Sequence, residues 1–142
     1  MDLEKLQELV DVDLKINDTE LDLESLKTPQ LHNKYMKHLT NFKLLLSRAE
    51  AELATTKKGL WEYYTGKADP EVYKEKPFQF KLLRQDVDQY IQSDEEFIKL
   101  KHKVDYLNTV VDFLDRTLRQ ITNRSFLIKD AIDWRKFTSG AV

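Results

Sequence analysis

Two apolar seams, separated by a proline-containing connector, constrain this chain more tightly than any other feature. The first runs Tyr35, Leu39, Phe42, Leu46, Ala49, Leu53, Thr56, Leu60, Tyr63. The second runs Phe97, Leu100, Val104, Leu107, Val111, Leu114, Leu118, Ile121. Both step by alternating threes and fours, the a/d repeat of a coiled coil rather than the looser stripe of a helix lying on a globular core. Each seam needs a partner, and a chain in which 34% of residues are charged has few other apolar faces to offer. The expected fold class is therefore all-α. It is a long antiparallel helical hairpin, coiled-coil-like, with short N-terminal elements and a C-terminal oligomerisation helix.

Local signals divide the single domain of 142 residues. Residues 1–27 form a small N-terminal segment. Leu3, Leu6, Leu9 and Val10 predict a short amphipathic helix, Val12, Leu14 and Ile16 alternate as in a brief extended stretch, and Asn17-Asp18 predicts a turn before a short helix to Leu26. Residues 28–66 form the first long helix. Thr28 caps it, Pro29 occupies its first position, and Gly66 ends it in a left-handed cap. Such a rod is on the order of 55 Å long. Residues 67–92 are a connector: an irregular stretch with Pro70, Pro77, Tyr73, Phe78 and Phe80, then a short helix over 81–91. Residues 93–122 form the second long helix, opened by a capping box of Ser93 and Glu96. A weak break at Thr122-Asn123-Arg124-Ser125 precedes a C-terminal helix over 123–140.

That last helix carries Phe126, Leu127, Ile128, Ala131, Ile132, Trp134 and Phe137 on more than one face. An oligomer contact through Phe126, Ile128, Ile132, Trp134 and Phe137 explains this pattern, and so does packing of one side on Tyr73, Phe78 and Phe80. Both readings stand at the level of sequence.

The net charge of −2 conceals strong segregation. Residues 1–30 carry nine acids against three bases, 31–84 eleven bases against six acids, 85–115 eight acids against three bases, and 116–142 six bases against two acids. Alternating blocks of this kind pair within or between subunits, or present a basic face to a polyanion. Three negative features bound the chemistry. No cysteine is present, which excludes disulfides and thiolate metal sites and suits a reducing cytoplasm. The longest apolar run is Leu44-Leu45-Leu46, far short of the roughly 20 residues of a membrane span, and the N-terminus is unlike a secretion signal. His32, His38 and His102 fall in no metal-binding spacing, no glycine-rich phosphate loop occurs, and Asp94-Glu95-Glu96 suits the first turn of a helix. No cofactor and no enzymatic activity are expected.

One stretch remains, Lys57-Lys58-Gly59-Leu60-Trp61-Glu62-Tyr63-Tyr64-Thr65-Gly66-Lys67. Lys57, Lys58 and Lys67 with Trp61 and Tyr64 match the way single-stranded nucleic acid is held, cations tracking phosphates and rings stacking on bases. The alternative is structural: lysines suit a helix C-terminus, and Trp61 or Tyr64 packs on the connector.

The order of residues also resembles a known family. Leu3-Glu4, Leu6-Gln7 and Ile16 begin the likeness. It is clearest at Glu50-Ala51 followed by Tyr63-Tyr64-Thr65-Gly66, and again at Asn123-Arg124-Ser125-Phe126-Leu127-Ile128-Lys129, then Arg135, Phe137 and Gly140. Over most of its length the chain resembles the UvsY family of recombination mediators of T-even-type phages. The resemblance implies a homo-oligomeric ring, a heptamer or hexamer, that binds single-stranded DNA at its rim and contacts a RecA-like recombinase and a single-stranded-DNA-binding protein in the host cytoplasm. It implies basic DNA-binding residues just before the Tyr-Tyr-Thr-Gly element, where Lys58 fits; a second basic position two residues on is Leu60 here, with Lys57 or Lys67 left to compensate. It also implies self-assembly through the terminal segment. A non-catalytic coiled-coil adaptor or scaffold, and less readily a small helical nuclease, are the rival readings.

Overall fold

The computed structural model describes residues 1–140. Its elements are α1 (Leu3–Asp13), α2 (Leu21–Leu26), α3 (Thr28–Tyr64), α4 (Pro70–Glu75), α5 (Arg84–Gln92) and α6 (Glu95–Thr138), and no strand occurs among the described residues. The expected all-α class is the observed one. The described residues fall into two compact units, the first comprising residues 1–42 and 109–140, the second residues 43–108.

In the first unit α1, α2 and the outer stretches of α3 and α6 enclose a core of Leu6, Val10, Leu21, Tyr35, Leu39, Val110, Leu114, Leu118, Ile121 and Ile128. Here α6 buries two lines. One is the expected seam. The other steps by sevens through Val110, Thr117 and Arg124, and it displaces Val111 to a half-buried place. Arg124 explains the second line. Its guanidinium is buried, donates to the Glu24 carboxylate and the Glu24 backbone oxygen, and reaches the Thr28 hydroxyl at 3.2 Å. The Thr28 side chain thus accepts from Arg124 at the start of α3.

The expected extended stretch at Val12–Ile16 is not formed. Asp2 caps α1 by accepting from the Lys5 N–H at 2.9 Å, and the helix continues to Asp13. There the Asp13 carboxylate accepts from Tyr35 Oη at 2.8 Å and from Lys34 Nζ at 2.6 Å, which rewards helix over strand at this position. The Asn17 turn is present, with its side-chain oxygen accepting from the Thr19 N–H and hydroxyl. The expected break at 122–125 is also absent, and α6 runs unbroken through it. The Thr122 and Ser125 hydroxyls donate back to the carbonyls of Leu118 and Thr122, so these polar residues leave the backbone ladder intact. Ile121, Arg124 and Ile128 keep the helical burial spacing across the same residues.

The acid-linked pairs in this unit set a pH dependence. Burial pushes Asp13 upward, but hydrogen bonds from Lys34 and Tyr35 and the charge of Lys34 outweigh it and hold the carboxyl below its ordinary value of 3.8. Glu24 lies below 4.5, first through the Lys27 hydrogen bond and, against the opposing effect of burial, through Arg124. A depressed carboxyl stabilises the fold above its unfolded pKa, and that contribution disappears as pH falls through the folded one. The thermal midpoint is therefore expected to be flat from about pH 7 to 5 and to decline below about pH 4.5, as followed by helical circular dichroism. A midpoint that rises on acidification through this window would contradict the assignment.

In the second unit α3 and α6 run antiparallel. Tyr64 meets Asp94 at one end, and Lys103 pairs with Glu52 at 3.7 Å further along. Leu60, Val87, Ile91 and Phe97 form the core, with Leu53, Tyr64 and Leu82 packed against it. α3 ends as expected. Gly66 adopts φ +78°, its N–H reaches the Tyr63 carbonyl at 3.3 Å, and the Lys67 N–H reaches that of Glu62 at 2.8 Å, a Schellman closure. The connector is more ordered than its composition suggests, since Pro70 opens the short α4. The cap of α6 is Asp94 rather than Ser93. The Asp94 carboxylate accepts from the Glu96 and Phe97 N–H groups, while the Ser93 hydroxyl donates to the Gln89 and Tyr90 carbonyls and closes α5.

Candidate nucleic-acid interface

The face of α3 that carries the basic stretch repeats at helical spacing: Ala54, Lys57, Lys58 and Trp61 fall at i, i+3, i+4 and i+7 and share one side. On α5 the same spacing places Arg84, Val87, Asp88 and Ile91 together. These eight residues line one groove of about 480 Å³ within the second unit. Leu60, Val87 and Ile91 belong to the core beneath it, so apolar packing fixes the distance between the two helices. Lys57, Lys58 and Arg84 are exposed at its edges, and none of the three forms an ion pair among the described residues.

Trp61 is 43% exposed at the groove. Lys67, beyond the helix end, places its ammonium 4.5 Å from the centre of the Trp61 ring, a cation–π contact that adds a further positive charge beside the groove. Of the five residues expected to hold nucleic acid, Lys57, Lys58, Trp61 and Lys67 are therefore brought together at an accessible place.

Tyr64 is positioned differently. Its ring packs against Tyr63, Phe78 and Tyr90, and its hydroxyl donates to the Asp94 carboxylate at 2.8 Å. Burial first, and then Asp94, hold its phenol well above the ordinary value of 10, so it remains a neutral donor. Tyr64 ties the end of α3 to the cap of α6. Tyr63 and Tyr73 complete the framework: the rings stack at 5.4 Å, Tyr73 Oη donates to the Tyr63 carbonyl at 2.7 Å, and Tyr63 Oη donates to the Lys76 carbonyl at 3.0 Å.

Sequence reasoning missed Arg84 and Asp88. The signal was available, because residues 84–91 repeat the spacing of 54–61, but opposing two short faces requires knowing that α5 lies beside α3. Leu60 is buried, which accounts for an apolar residue where the family resemblance implies a basic one.

A model of the family described as "Recombination, repair and ssDNA binding protein UvsY" matches residues 9–141. The chain belongs to the UvsY family. Among UvsY relatives, the recombination protein uvsY of Enterobacteria phage T4 is 26% identical over 140 residues, covering 99% of each chain. Two crystal structures of the bacteriophage T4 recombination mediator protein UvsY are similar throughout. The type II lattice form gives a TM-score of 0.88 at 26% identity over 98% of both chains. The type IV form gives 0.84 at 25% identity over 97% of this chain and 99% of that one. The UvsY fold is thus shared over 97–98% of the chain, whereas about three-quarters of the side chains differ.

The five expected oligomerisation residues fall into two groups. Phe126, Trp134 and Phe137 are 64%, 66% and 75% exposed, with the Trp134 and Phe137 rings 5.8 Å apart. Ile128 is buried within the first unit and Ile132 is half-buried. Leu127, also exposed, joins the first group. The connector aromatics Tyr73 and Phe78 are occupied with Tyr63, Tyr64 and Tyr90. No helix among the described residues is long and apolar enough to cross a membrane, and no group of metal-binding side chains occurs there.

Proposed function

We propose that this protein is a non-catalytic recombination mediator that binds single-stranded DNA through the groove between α3 and α5. The observation that carries this reading is the unpaired cationic edge of Lys57, Lys58 and Arg84 around an exposed tryptophan, in a chain of the UvsY family. Phosphates follow the cations, and bases lie against Trp61 and the apolar floor.

One such groove is a weak site. A homo-oligomeric ring, a heptamer or hexamer closed through Phe126, Leu127, Trp134 and Phe137, repeats it at high effective concentration, and avidity replaces affinity. A strand led over several grooves takes up an imposed geometry. That loosens a competing single-stranded-DNA-binding protein and presents the strand to a RecA-like recombinase for nucleation, in the host cytoplasm. Lys67 supports Trp61, and Tyr64 fixes the end of α3 beside them.

The test is the Lys57→Ala/Lys58→Ala double variant, followed by anisotropy of a labelled single strand across a salt series beside light scattering for mass. The variant is expected to keep the parent mass and to lose affinity at least tenfold at low salt. The slope of log affinity against log salt should fall by about 1.4 for each strand segment held, two lysines at about 0.7 each. A parent protein that assembles without binding single-stranded DNA at low salt would instead favour the coiled-coil adaptor.

A further inference from the structure

The groove has two walls, and the one on α5 carries a carboxylate as well as a cation. α5 supplies Arg84 and Asp88, four residues apart, a spacing at which Arg and Asp commonly pair. No ion pair joins them among the described residues. Both are exposed, both line the groove, and the buried face of Val87 and Ile91 holds them in place. A carboxylate beside a polyanion is unfavourable unless a cation pairs with it or the ligand donates to it. Asp88 has no ion pair among the described residues, and on a DNA strand the donors are on the bases.

We infer that α5 is the selectivity wall of the strand-binding groove: Arg84 holds a backbone phosphate opposite Lys57 and Lys58, and Asp88 accepts from the exocyclic amino group of a base seated on Trp61, Val87 and Ile91. The inference rests on reading the groove as a single-strand site. It makes the protein prefer cytosine to thymine. Both are single-ring pyrimidines, but at the 4-position cytosine presents an amino donor where thymine presents a carbonyl oxygen that repels a carboxylate. The C5-methyl of thymine adds apolar contact without a donor there. Arg84, by contrast, meets a phosphate and contributes equally to every sequence.

The experiment measures binding of labelled oligo-dC and oligo-dT to the full-length protein at mildly alkaline pH, for the parent, Arg84→Ala, Asp88→Asn and the double lysine variant. The parent is expected to bind oligo-dC roughly fivefold more tightly than oligo-dT, at the low end of the discrimination carried by one base contact. Asp88→Asn should close that gap, mainly by tightening oligo-dT, because an amide can donate to the thymine carbonyl. Arg84→Ala should weaken both strands about tenfold at low salt and lower the salt slope by about 0.7 for each strand segment held. Equal affinity of the parent for the two strands overturns the inference, as does an Asp88→Asn variant that tightens both equally or an Arg84→Ala variant with the parent's slope. If the double lysine variant binds as the parent does, the groove itself is not the strand site. If that variant weakens while both α5 variants behave as the parent, α5 alone is misassigned. Both side chains are exposed, so circular dichroism is expected to show unchanged helix content in all variants.

Discussion

Replacing Arg124 by alanine is expected to destabilise the protein by about 3–5 kcal/mol, a large share of the roughly 5–15 kcal/mol that holds a domain folded. Arg124 and Glu24 side chains are only 3% and 4% exposed, so truncation leaves a carboxylate inside the first unit with Lys27 as its remaining cation. It also removes the donors to the Glu24 carbonyl and the Thr28 hydroxyl, which fasten the α2–α3 junction to α6. Arg124→Lys should recover little, since a single ammonium cannot span three acceptors as the planar guanidinium does. A Glu24→Leu/Arg124→Met double variant should regain much of the loss. Removing both charges abolishes the desolvation cost of each, and it also eliminates the buried Nε of Arg124, which has no hydrogen-bond partner among the described residues. Urea unfolding of the four proteins gives the comparison. A loss below about 1 kcal/mol for Arg124→Ala would mean that the pair is a surface contact in solution.

This pair also marks where reading the sequence stops. The two seams were legible because apolar residues announce themselves by period, and seam residues are buried or half-buried in the fold. Gly66 was legible because the backbone there requires positive φ. The second buried line of α6 was not, since two of its three members, Thr117 and Arg124, are polar and a periodicity count passes over them. For the same reason Thr122–Ser125 looked like a break: the hydroxyls that suggest a loop are satisfied inside the helix. At the candidate site the α3 wall was visible as a local cluster. The α5 wall depended on tertiary placement, and Asp88 looks like one acid among eight in an acidic block until it is seen lining one groove with two lysines. Ile128 failed differently. Its apolar character pointed equally to a core and to an interface, and only its burial assigns it to the core.

A Trp134→Ser/Phe137→Ser variant is expected to dissociate the assembly and, with it, to reduce affinity for a long single strand by about 10²–10⁴-fold. Both side chains are largely exposed, so their loss leaves the fold of the first unit, and the helix signal, close to that of the parent. Two large rings side by side on a surface are costly to leave in water and are typical anchors of a protein contact. Sedimentation should show the mass falling to one or a few subunits. The groove between α3 and α5 lies in the second unit and is not altered, so a strand short enough to occupy one groove should bind the variant and the parent alike. That contrast separates lost avidity from a damaged site. Ile128→Ser supplies the opposite control: it places a hydroxyl in the core and should lower the unfolding midpoint rather than the mass of the folded protein. An assembly that keeps its mass after both rings are removed would place the subunit contact elsewhere on the chain.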